Sequence, residues 1–87
     1  MSVYKYKKKP FEVDVLYFDG ENADELRQFV GEGNLGYNVD GDSKFFISTL
    51  EGNMAFDADT YVIRGVEGEF YPCAKNIFEK TYELVTT

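Results

Sequence analysis

The sequence predicts an α+β domain: a small twisted antiparallel β-meander sheet of about five or six strands, one main helix packed on a face, and a short C-terminal helical turn. Three observations predict it. A single amphipathic helical segment stands early, between Asn22 and Gly31. It is followed by β-rich runs joined by Gly-containing connections of two to four residues, the mark of antiparallel hairpins. A chain of 87 residues has room for one core.

Residues 1–10 read as a basic, solvated arm, and residues 11–87 as the single domain. From Phe11 to Phe18 the chain alternates apolar and acidic residues and then becomes continuously apolar. That suits a strand half-buried at its start and buried on both faces at its end. Pro10 precedes it, where a missing N–H costs least, and Asp19-Gly20 ends it as a turn. Asn22 and Glu25 have the spacing of a capping box, and Ala23, Leu26, Phe29 and Val30 share one helical face. Gly31 is the expected stop. Strands follow at Leu35–Val39, Lys44–Leu50, Asn53–Phe56, Thr60–Val66 and Glu69–Cys73. Pro72 cannot donate to a ladder and marks a strand end or an edge. Asn76 and Glu79 repeat the capping-box spacing for a helical turn over Asn76–Thr81. Tyr82–Val85 reads as a last short strand or a docked tail.

Charge and absences exclude several functions. Nine Lys+Arg against sixteen Asp+Glu give a formal charge of -7. Lys5, Lys7, Lys8 and Lys9 all lie in the arm, so residues 10–87 carry five cations against sixteen acids, or -11. An acidic body of this kind disfavours binding to nucleic acid or to anionic membranes. Without histidine there is no Ser-His-Asp triad, no Cys-His pair and no His-ligated metal. One cysteine allows neither an internal disulfide nor a four-thiolate zinc site. No apolar run approaches the roughly 20 residues of a membrane span, and the basic start lacks a secretory h-region. A soluble, cytoplasmic protein that needs no cofactor is the expectation.

The remaining motifs have plain readings. Gly31-Glu32-Gly33-Asn34-Leu35-Gly36 spells GxGxxG. A phosphate loop needs a strand before it and a helix after, and here the order is reversed. Asp40/Asp42 and Asp57/Asp59 have the composition of turns, and neither pair has full calcium-loop spacing. Cys73 lacks a base and is expected in the core. Tyr4 and Tyr6 interleave with the arm's lysines, a pattern that can stack on single-stranded nucleic acid, but beside an acidic body it reads as a solvated, charge-screening arm. Seven tyrosines are many to bury, since each hydroxyl needs a partner. Tyr37, Tyr61, Tyr71 and Tyr82 are therefore candidates for an interaction surface, tyrosine being favoured at interfaces.

Three stretches carry a family resemblance. They are Tyr6–Pro10 opening into a strand, Ile47–Met54, and above all Asp59–Cys73 followed by Asn76–Glu83. Together they resemble a family of small uncharacterised phage and prophage proteins. Many members have Pro-Gly-Asp before the tyrosine where this chain has Asp57-Ala58-Asp59. They often have Lys-Pro-Asp after the cysteine where it has Ala74-Lys75-Asn76. The resemblance implies an accessory protein in the bacterial cytoplasm and brings no catalytic residue with it.

The expected function is non-enzymatic: binding to a host protein, with the acidic body acting as a nucleic-acid mimic or anti-defence factor. A homodimer through a sheet edge or an aromatic face is compatible with this. The alternatives are a small-ligand protein that binds or sequesters a nucleotide through Arg27, Lys44, Arg64, Lys75 and Lys80, and a structural component of the virion.

Overall fold

Six strands and two helices make up the described part of the chain, which in this computed structural model comprises residues 3–5, 11–31, 33–37, 45–49 and 51–85. They run in the order β1 (Asp14–Phe18), α1 (Ala23–Val30), β2 (Leu35–Tyr37), β3 (Phe45–Thr49), β4 (Gly52–Phe56), β5 (Thr60–Arg64), β6 (Phe70–Ala74) and α2 (Lys75–Thr81). The α+β class, the strand number, the main helix and the C-terminal helical turn all match the expectation. The strands are divided between two antiparallel three-stranded sheets, ordered β1-β5-β6 and β2-β3-β4. The meander holds for β2-β3-β4, while β1 leaves the chain order to pair with β5, Phe18 opposite Thr60 and Asp14 opposite Arg64.

Strand alternation explains the core. On one face of β1-β5-β6 stand Leu16, Phe18, Val62 and Phe70. They pack with Leu26 and Val30 of α1, Leu35 of β2, and Ile47 and Phe56 of β3 and β4. Phe18, Leu26, Ile47 and Val62 are almost wholly buried, each worth about 1.5–3 kcal/mol relative to exposure. On α1, Asp24, Glu25, Arg27 and Gln28 are exposed, as the helical spacing predicts. Ile63 is also fully buried, but it lies outside that cluster, one residue out of phase with Val62 on β5. It therefore belongs to the opposite face, against which α2 packs.

Two capping boxes do not form. Asn22 occupies the N-cap of α1 without a side-chain cap bond. Its Oδ1 accepts from Asp19 N–H at 3.0 Å and its Nδ2 donates to the Tyr17 carbonyl at 2.8 Å. The amide is spent on the turn behind it. α2 starts one residue early, at Lys75, and its N-cap Ala74 has no side-chain acceptor. Tyr82–Val85 is not a strand; Leu84 and Val85 are exposed. Cys73 is half-buried rather than in the core, because β6 is an edge strand. Pro72 lies in the middle of that edge, opposite Val62.

The three glycines of the GxGxxG pattern have structural duties. Gly31 and Gly33 take positive φ, at 84° and 86°. A side chain on Gly36 would sit 2.2 Å from the tip of the Phe46 ring, which covers it from the next strand.

Candidate functional site

The face of β1-β5-β6 turned away from the main core carries Tyr17, Tyr61, Cys73 and Tyr71 at alternate positions of the three strands. α2 adds Phe78, and the residue after it adds Tyr82. The rings form a column. Tyr17 and Tyr61 are 4.9 Å apart and tilted. Tyr61 stacks on Phe78 at 4.0 Å, and Phe78 on Tyr82 at 4.8 Å. The Tyr71 and Tyr82 hydroxyls lie 3.4 Å apart. All these rings are half-buried. The ammonium of Lys75 sits 5.6 Å from the centre of the Tyr17 ring.

The column runs into an acidic end. The Tyr17 hydroxyl donates to the Asp59 carboxylate. That bond, with desolvation and the charge of Asp59, pushes the Tyr17 pKa up to about 12. Burial, then the contact with Tyr82, pushes Tyr71 up to about 12 as well. Asp59 is the one non-glycine residue with positive φ among those described, at 62°, and its N–H donates to the Phe18 carbonyl at 2.9 Å. This bond draws the β4–β5 turn against the β1–α1 turn. Asp19, Glu21, Asp57 and Asp59 therefore share one end of the molecule with Asp24 and Glu25 in the first turn of α1. All six are exposed.

Of the candidate tyrosines, the structure gathers Tyr61, Tyr71 and Tyr82. Tyr37 belongs to the other sheet, half exposed and tilted against Phe45 at 4.7 Å. Tyr17 and Phe78 complete the column and were not among the candidates. The pairing of Tyr17 with Tyr61 spans 44 positions of chain and leaves no trace in local periodicity.

The candidate ligand cations are dispersed. Arg27 pairs with Asp24 at 3.1 Å on α1. Arg64 pairs with Asp14 across the β1–β5 ladder and lies 5.3 Å from the Phe29 ring. Lys75 and Lys80 are on α2, and Lys44 lies outside the described residues, as do Asp40, Asp42 and most of the arm. A groove of about 370 Å³ opens between the β3–β4 turn and β6, lined by Glu51, Met54, Glu69, Phe70, Tyr71 and Pro72 among others, and by none of Arg27, Arg64, Lys75 and Lys80. Asp57 accepts from the N–H of Ala58 at 2.9 Å, a turn contact. Among the described residues no three His, Cys, Asp or Glu side chains converge as a metal site requires. No helix among them is long and apolar enough to cross a membrane. Comparison of the chain with family models, curated proteins and solved structures finds no match.

Proposed function

We propose that the chain is a non-enzymatic binding module: a phage or prophage accessory protein that acts in the bacterial cytoplasm by docking on a basic surface of a host protein. The observation that carries this reading is the tyrosine column running into the acidic end. Aromatic faces beside carboxylates are the complement of arginine, whose guanidinium stacks on a ring and offers its N–H fork to a carboxylate. The formal charge of -7 would steer such a partner and make association salt-dependent. The phage origin is supported by the resemblance of the Asp59–Cys73 and Asn76–Glu83 stretches. The groove holds two glutamates and no counter-charge for a nucleotide, which favours the protein-binding reading over the small-ligand one.

The test is affinity capture from bacterial lysate with the wild-type chain and with the triple variant Glu21→Gln, Asp24→Asn, Glu25→Gln, whose three positions are all exposed. A partner held at low salt, released as salt rises and lost by a triple variant of unchanged melting temperature is the expected result. Retention that is equal for both chains and indifferent to salt would overturn the reading.

A further inference from the structure

Each sheet ends in two edges, and the four edges are not alike. β6 has Pro72 at its centre, β1 opens on the charged Asp14 and runs beside α1, and β2 has only three residues. β4 has five residues, no charge and no proline, and Gly52, Asn53, Met54 and Ala55 are all exposed. No strand pairs with its outer side among the described residues. An edge with no charge and no proline within the strand is a template for another strand.

Charge decides which strand. Glu51 immediately precedes β4 and Asp57 immediately follows it, both exposed. A second copy paired antiparallel about Met54 would set each Glu51 opposite the other copy's Asp57, and like charges placed opposite are destabilising. A segment with cations six residues apart, about 20 Å at 3.4 Å per residue, meets a carboxylate at each end instead. At the Glu51 end the groove supplies apolar surface from Met54, Phe70 and Pro72, and Glu69 also lines it. Such a surface suits the aliphatic stem of a lysine or arginine whose head stays with the carboxylates.

We infer that the outer edge of β4 is a strand-addition site for an extended basic segment of the partner protein, with one cation in the groove at Glu51 and a second at Asp57. The inference rests on the basic-partner reading given above and adds where and in what conformation that partner is held.

The probe is an acetylated, amidated seven-residue peptide of alternating threonine and valine with arginine at each end, and the readout is amide hydrogen exchange on the full chain. At ten times the peptide's Kd, exchange of the outward-facing Asn53 and Ala55 amides should slow about tenfold, because about one site in eleven is then empty. The same peptide with glutamate at both ends should give no protection. Ala55→Lys, a charge placed on the edge at an exposed position, and separately Glu51→Lys should each abolish the effect. Unchanged exchange in β4 with the arginine peptide, or equal protection by the glutamate peptide, overturns the proposal. So does concentration-dependent protection of β4 without peptide together with a doubled mass in sedimentation, which would give the edge to a second copy. Loss of the lysate partner in the Glu21/Asp24/Glu25 variant but not in Ala55→Lys would leave the basic-partner reading standing and remove this one.

Discussion

Tyr17 shows how much one contact at the residue scale can decide. Its hydroxyl bond to Asp59 ties the ring column to the acidic end, and it favours the protonated phenol. In absorbance titration, Tyr17 and Tyr71 should ionise late, near pH 12, against the ordinary value of 10.0. Asp59→Asn should bring Tyr17 back down and leave Tyr71 in place. Because the folded state holds these protons more tightly, their contribution to stability is complete below pH 10. It should be lost as the pH rises from 10 through 12, which a denaturation series across that window would read. Gly36 is the second residue-scale case. Gly36→Ala drives a methyl into the Phe46 ring and should cost about 1–3 kcal/mol. In a Phe46→Ala background it should cost less, and the double-mutant cycle measures the difference. The spacing of the three glycines was visible in the sequence, but their reasons were not: only the register of β2 on β3 brings Phe46 over Gly36.

At the scale of elements, α2 depends most on its neighbours. It has seven residues, no buried residue and no side-chain cap, so propensity alone would not hold it. Phe78, stacked between Tyr61 and Tyr82, is its anchor. Phe78→Ala should cost roughly 1–3 kcal/mol, the worth of two aromatic pairs. Exchange should speed up across Lys75–Thr81 while β1-β5-β6 stays protected. α1 was legible almost residue by residue, since one buried stripe of Leu26 and Val30 fixes its face. Its cap was not, because Asn22 has a stronger claim on its amide from Asp19 and Tyr17 than from its own helix. Hairpins were legible from their glycine turns. The division of the strands into two sheets was not, since nothing local says that β1 will find β5.

For the molecule as a whole, the margin is thin. Seven apolar residues of the described chain are buried, and Leu26 lies wholly buried in the cluster to which both sheets contribute. Leu26→Ala should cost about 2–5 kcal/mol, against a total near 4–13 kcal/mol for a chain of this length. A much lower melting temperature, or loss of the cooperative transition in calorimetry, is the expected outcome. The charge of -7 was plain in the sequence. The meeting of two acidic turns at one end was not, because it needs Asp59 N–H on the Phe18 carbonyl. The same crossing sets a timetable for synthesis. β2, β3 and β4 pair with immediate neighbours and can assemble as they leave the ribosome. β1 cannot: Phe18 waits for Thr60, 42 residues behind it, or about 2–8 s at cellular elongation rates. Through that interval β1, which carries Phe18 of the core, stands without its partner. The nascent chain, rather than the finished domain, is where this protein is most exposed to chaperones and to misassembly.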